Sequence, residues 1–455
     1  MAKIKKVFYC SSCGVESGKW FGRCTSCGEW GSCIEESVST NQKTPKVRGL
    51  ISSSQVVSIG DIAPDNYARI STSVGEFDRV LGGGLVAGSM VLLGGEPGIG
   101  KSTLALQVAL NCEGLRVLYI SGEESAEQVR LRGERLGIGR GECRVLCETS
   151  VEVILEKLME EKPQLVVVDS IQTLFCEAIE SFAGSVTQVR ESAARLLRYA
   201  KSSAVPIVLI GHITKEGSIA GPKILEHIVD AVFLFEGDGG GYRLLRGVKN
   251  RFGSTSEMGI FEMTAKGLRE VESSSEIFMV NHSESVSGVA MGVVMEGSRS
   301  YILETQALVC ATGYSVAGRS ATGLDYKRMS MLVAVLEKRF GFKLQGKDIF
   351  LNLVGGFKVG DTGLDLAFVM AMISSILDIT VPFDSCFIGE VGLSGEVRSV
   401  TRIVDRLREA RRMGFAVAVI SEQSRGIVDS ARSELEGIGV QYVSRVSDLS
   451  GLFGR

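Results

Sequence analysis

The chain contains no run of eighteen apolar residues, so a membrane-spanning helix is not expected. Its opening, MAKIKKVFYCSSC, lacks the apolar core of a secretory signal, and a cytoplasmic protein without membrane contact is the expectation. An excess of charge is missing as well. Lys and Arg number 50 against 53 Asp and Glu, a net of −3, so any nucleic-acid binding must use local basic patches. There is no sign of a disulfide framework either: eleven cysteines is an odd number for 455 residues, and cytosolic thiols stay reduced. Seven of them, such as Cys112 and Cys310, have apolar neighbours and read as small core residues. What remains is an ordinary globular composition, 45% apolar and 23% charged, with length for about three domains at roughly 150 residues each.

The other four cysteines carry chemistry. Cys10, Cys13, Cys24 and Cys27 form C-x₂-C-x₁₀-C-x₂-C, two tight knuckles that supply four thiolates to one tetrahedral Zn²⁺. A closed four-thiolate site leaves no position for substrate, so the ion is expected to be structural and to organise a zinc ribbon over residues 1–36. Trp20 and Trp30, the only tryptophans, both lie in it, either as partner or nucleic-acid contacts or as packing around the metal. Cys33 stands outside the spacing and has no assignment. Residues 37–58, rich in Ser and Thr, read as a flexible linker.

From Ile59 short β-branched runs alternate with helical periods, which implies α/β architecture with a central, mostly parallel sheet over residues 59–271. Residues 232–235, 242–248 and 259–264 read as antiparallel hairpin extensions. The stretch MVLLGGEPGIGKSTLALQVAL reads as a strand, a glycine turn and a helix. It contains G-x-x-x-x-G-K-S, a Walker A phosphate loop formed by Gly95, Glu96, Pro97, Gly98, Ile99, Gly100, Lys101, Ser102 and Thr103. Its glycines let backbone N–H groups close round a polyphosphate at a helix N-terminus. Lys101 is expected on the β- and γ-phosphates of ATP and the Ser102 hydroxyl on Mg²⁺. LVVVDS is a Walker B strand whose Asp169 holds the shell of the Mg²⁺. YISGEES is expected to end a neighbouring strand in Glu123 and Glu124. Glu123 is placed to deprotonate the attacking water, and Glu124 reads as a helix-start acid on the helix dipole. In LIGHITKEG, His212 is either a γ-phosphate sensor or a satisfied core histidine.

Together the zinc motif with GKWFGRC, GGEPGIGKST, YISGEES, VVVDS, GHITKEG and KNRFG resemble the RecA-like strand-exchange ATPases and, more closely, the bacterial RadA (Sms) family, over almost the whole chain. The resemblance implies that Glu123 is the catalytic glutamate. It implies that residues 181–189 and 213–225 are loops facing DNA in a ring's channel, with Lys215 and Lys223 on phosphates. It also implies that Lys249 and Arg251 of KNRFG reach a neighbouring subunit's nucleotide, a placement that would stabilise transition-state charge. The other reading of KNRFG is a solvated basic hairpin. The implied protein is a hexameric, DNA-dependent ATPase of the helicase type. It would translocate on single-stranded DNA and drive branch migration of branched recombination intermediates beside a RecA-type recombinase. A KaiC-like regulatory ATPase, suggested by EFDRVLGGGLVAGS, and a nucleotide-switched DNA-binding adaptor are the alternatives.

Residues 272–455 read as a further module in which LVGG, GLDLAFVMAMISS and IGEVGLSGEVRSV resemble the α+β proteolytic domain of Lon (ribosomal S5 domain 2-like). Lon uses a serine activated by a lysine. The matching positions fall at or beside Gly363 and near Val404, so the module is expected to be non-proteolytic, a scaffold for the ring or for DNA. Arg402 and Arg406, expected on one helix face, either neutralise DNA phosphates or are solvated.

Overall fold

The computed structural model describes residues 4–10, 15–25, 28–39, 69–137, 141–212, 223–237, 241–271, 286–313, 317–354 and 359–452. Two compact units divide the chain, 1–271 and 272–455. Among the described residues no helix is long and apolar enough to cross a membrane.

The N-terminal ribbon is a three-stranded antiparallel sheet in the order Glu16–Ser17, Ile4–Cys10, Cys33–Ser39. The first unit then builds a nine-stranded sheet. From one edge to the other its strands are Gly267–Glu270, Met258–Thr264, Tyr242–Asn250, Ala231–Gly237, Met90–Gly95, Ile207–His212, Leu165–Asp169, Arg116–Ser121 and Glu142–Cys147. The six from Ala231–Gly237 onward are parallel, and the first three are antiparallel. All residues of Met90–Gly95 and Leu165–Asp169 are buried, the continuous apolar reading of a sheet covered on both faces. One cover includes Lys101–Asn111 through Leu104, Ala105 and Val108; the other includes Val151–Glu161 and Val186–Ser203 through Ile154, Leu158, Val189 and Leu196.

The 232–235 stretch is paired on both sides: Ala231–Gly237 run antiparallel to Tyr242–Asn250, as expected, and Ala231–Phe235 also run parallel to the phosphate-loop strand, in register with Val91–Gly95. The strand before Glu123 neighbours the Walker B strand, and that strand and the histidine strand lie between it and the loop strand.

The second unit is α+β. Its seven strands run Arg319–Thr322, Lys347–Leu353, Arg299–Ala311, Val289–Glu296, Ser385–Ile388, Val417–Ser421 and Gly439–Val443. Lys347–Leu353, Arg299–Ala311 and Val289–Glu296 are antiparallel, and the last three strands are parallel. The helix Asp365–Leu377 is buried from Asp365 to Ser374, and Ile403–Arg412 packs Ile403, Leu407 and Ala410 into the sheet.

Candidate active site

Parallel strands place their carboxyl ends on one edge, and the predicted chemistry gathers there. His212 pairs in register with Gly95, and Ser121 with Asp169, so the phosphate loop, Asp169, Glu123 and His212 share that edge. The helix after the loop begins at Lys101 with Gly100 as N-cap and no side-chain cap, which leaves its first amides for an anion. Gly100 has φ 115°, a backbone conformation that favours glycine, and a β-carbon there would also displace the end of the Met263 side chain, whose Cε would stand 2.7 Å away. Glu96, Pro97 and Gly98 are exposed at the turn, Ile99 and Gly100 are half-buried, and Ser102 and Thr103 are half-buried in the first helical turn.

Lys101 is 3% exposed, and its Nζ donates to the carbonyls of Gly95 and Glu96 at 2.7 and 2.8 Å. Burial lowers its pKa to about 8, although the charges of Asp169, Glu123 and Glu96 pull the other way. Asp169 is buried, and its Oδ2 accepts the Tyr119 hydroxyl at 2.6 Å. Burial, followed by that carboxylate, pushes the Tyr119 pKa well above its ordinary value, so the phenol remains a donor. Glu123 accepts the Ser170 hydroxyl at 2.5 Å, and His212 Nε2 lies 3.4 Å from the same Oε1. Sequence reasoning missed Tyr119 and Ser170. Each lies within a quoted motif, but the register that aims them at the acids is a property of the sheet. Glu124 turns away to pair with Arg132 at 2.5 Å, while Ser125 caps the following helix.

Lys249 and Arg251 lie elsewhere. Lys249 pairs in register with Val232 and Asn250 with Ala231, whose own partners are Leu92 and Val91 near the start of the loop strand. Asp230 fixes this end: its Oδ2 accepts from Met90 N at 3.0 Å and Lys201 Nζ at 2.8 Å, and its Oδ1 from Arg251 at 3.2 Å. Lys249 Nζ donates to the carbonyls of Glu226 and Val229. Burial, followed by the Arg251 charge, lowers its pKa. Both cations therefore sit at the amino edge of the sheet, opposite their own phosphate loop.

Of the remaining predicted residues, Lys223 opens the short helix Lys223–Ile228, and Lys215 lies outside the described residues. The phosphate-contact reading of Arg406 is corrected: it is 1% exposed, paired with Asp361 at 2.7 Å and donating to the carbonyls of Val293 and Thr401. Arg402 does not share a helix face with it. It precedes the helix as N-cap at φ 54° and donates to the carbonyls of Gly297 and Ser298 and to Asp405.

In the ribbon, Cys10 and Cys24 are buried, while Cys13 and Cys27 lie outside the described residues. Both knuckles close alike, Cys10 N donating to Val15 O and Cys24 N to Glu29 O, each five residues on. Two buried thiols held in matching turns fit Zn²⁺. Cys33 pairs in register with Cys10. The reading of the tryptophans as packing around the metal is corrected, since both are exposed.

A mostly parallel sheet with a phosphate loop on an inner strand and an acid on the next strand but one defines a P-loop fold of the RecA-like class, joined here to a metal ribbon and an α+β module. The AAA domain profile matches residues 68–218, that of the rubredoxin metal binding domain 8–35, and that of subunit ChlI of Mg-chelatase 312–424. DNA repair protein RadA of Bacillus subtilis strain 168 is 49% identical over 429 residues, 92% of this chain and 93% of its own. RadA of Campylobacter jejuni serotype O:2 is 47% identical over 92% of this chain and 94% of its own, and that of Streptococcus pyogenes serotype M6 44% identical over 98% and 99%. The crystal structure of a KaiC-like protein from Pyrococcus horikoshii OT3 covers 45% of this chain and 98% of its own, with TM-score 0.39 and 22% identity. The chain belongs to the RadA family.

Proposed function

We propose that this protein is a DNA-dependent ATPase of DNA repair and recombination. It would act as a ring, the hexamer its resemblance implies, that translocates on single-stranded DNA and promotes branch migration beside a RecA-type recombinase. The observation that supports this reading is the placement of the candidate nucleotide residues at opposite edges of one sheet. Lys101, Ser102, Asp169 and Glu123 stand at the carboxyl edge, and Lys249 and Arg251 at the amino edge. One chain's Lys249 and Arg251 do not reach its own loop, which supports a site that two copies would share.

In that site Lys101 binds the β- and γ-phosphates. Ser102 and Asp169 are the groups that would hold Mg²⁺, which supplies charge neutralisation at the phosphates. Glu123 takes the proton of the attacking water and is aimed by the Ser170 hydroxyl, while His212, at the end of the strand leading into 213–222, reports γ-phosphate to that segment. Arg251 of a second copy stabilises charge on the transferred phosphoryl group. In the other DNA-facing segment Phe182 is 90% exposed, a side chain suited to stacking on a base. The Lon-like module is proposed as non-proteolytic. Thr362, the hydroxyl beside Gly363, donates to Glu390, and no lysine stands near Val404, where the lysine position falls.

The test is phosphate release with and without single-stranded DNA, on the wild type and on mixtures of Lys101→Ala with Arg251→Ala. DNA should stimulate turnover, and the mixture should recover activity that neither variant has alone. Turnover indifferent to DNA favours the regulatory ATPase, binding without turnover favours the adaptor, and no recovery on mixing removes the shared site.

A further inference from the structure

The ribbon presents a surface that neither the metal nor the nucleotide explains. Trp20 is 68% and Trp30 74% exposed, far more than aromatic side chains of their size ordinarily leave in water. They converge across Gly22. A β-carbon on that residue would stand 3.6 Å from Trp20 Cη2 and 3.9 Å from Trp30 Cζ3, so the benzo edges of both indoles border one point on the backbone. The backbone beneath is braced: Gly31 N donates to Gly22 O at 2.9 Å, and Arg23 and Trp30 form an antiparallel bridge. Arg23 lies against the Trp30 ring, its Cζ 5.9 Å from the centroid, with Nε donating to Gly28 O at 2.9 Å. A turn in which Ser17 Oγ both donates to Lys19 O and accepts from Lys19 N fixes the backbone just before Trp20.

We propose that Trp20 and Trp30 form a stacking platform for the bases of single-stranded DNA, with Lys19 and Arg23 on the flanking phosphates. Charge favours this occupant over a protein: residues 17–30, which include both tryptophans, hold the cations Lys19 and Arg23 against a single acid, Glu29. An aromatic surface interleaved with cations matches a strand that offers π faces and phosphates in alternation, whatever its sequence. The proposal rests on the DNA-dependent reading above and adds a contact outside the ATPase unit.

The chain's only two tryptophans are these two, so tryptophan fluorescence of the full-length protein, excited beyond the absorption of its nine tyrosines, reports on this surface alone. Titration with oligothymidylate should quench it saturably, and an abasic oligonucleotide of equal length should not. Trp20→Ala and Trp30→Ala should each weaken binding of a labelled oligothymidylate about tenfold. Trp20→Phe and Trp30→Phe should restore most of the affinity, and all four variants should keep their bound zinc and their DNA-free ATP turnover. Unchanged emission at saturating oligothymidylate, equal quenching by the abasic strand, or quenching by a purified recombinase but not by DNA would each overturn the proposal. DNA-stimulated turnover read in the same samples separates the two ideas. If DNA stimulates while the tryptophans stay silent, only the platform fails; if DNA neither stimulates nor binds, the motor reading fails with it.

Discussion

Lys101 and Arg406 are both cations hidden from water, one in each unit, and they differ in whether a carboxylate is in contact with them. Each donates to two backbone carbonyls, but only Arg406 also touches a carboxylate, that of Asp361. Buried charge is costly unless paired. Arg406 is neutralised in place and belongs to the architecture. Lys101 is left with carbonyls and with a pKa lowered by burial, which suits a group waiting for an anionic ligand.

The most severe way to break this comparison is Lys101→Ala. Hydrolysis should fall by about 1000-fold or more, the range for removing a group that stabilises developing charge, while the unfolding midpoint moves little. Phosphate release and chemical denaturation measure the two sides. Unchanged turnover would remove Lys101 from the site.

Arg406→Ala should do the reverse. Removing the guanidinium leaves the half-buried Asp361 without its cation and vacates a buried site, and should cost the second unit about 3 kcal/mol, read by denaturation, with ATP binding unaffected. The double substitution Arg406→Met with Asp361→Asn should recover part of that loss, because no charge is left unpaired and the amide oxygen can still accept a backbone N–H that Asp361 now takes from Met295 or Gly363.

A smaller effect is expected from Gly363→Ser, which returns a hydroxyl to the position matching the Lon serine. A β-carbon at 363 would stand 2.5 Å from Arg406 Nη1 and 3.2 Å from its Cζ, so the guanidinium already fills the space a serine needs. The substitution should cost about 1–3 kcal/mol by overpacking, and no casein cleavage should appear. Cleavage without loss of stability would show that the cradle is open.

The sequence was most legible where spacing is itself the chemistry. Gly95–Ser102 and the first and third cysteines need few residues at fixed separations, and these stand in the predicted strand–turn–helix and in matching knuckles. It was least legible where the third dimension decides what a charge faces. Arg402 and Arg406 are four apart in an arginine-rich run, which reads as one solvated face. The helix begins only at Ile403, so Arg402 falls outside it and Arg406 turns inward to Asp361. Strand order was hidden for a similar reason: local pattern gives each strand, while neighbours are chosen by crossovers that no short window contains.

The gentlest test uses pH. In the empty site Lys101 has a pKa of about 8, so below pH 8 it is mostly the ammonium that binds phosphate, and above it mostly the neutral amine. A bound polyphosphate favours the charged form and raises the pKa, so binding above pH 8 must take up a proton. Apparent nucleotide affinity should then fall as pH rises through 8, approaching about tenfold per pH unit for one linked proton. Calorimetry in buffers of different ionisation enthalpy should show uptake approaching one proton at pH 9 and almost none at pH 6.5. Arg406 provides the internal contrast, since its partner Asp361 is already in place and no anionic ligand has to arrive. Affinity that is flat from pH 7 to 9 would mean that Lys101 is already fully charged before the nucleotide arrives. Its carbonyl partners and the nearby acids would then hold it as securely as Asp361 holds Arg406, and the distinction between the two cations would be one of position alone.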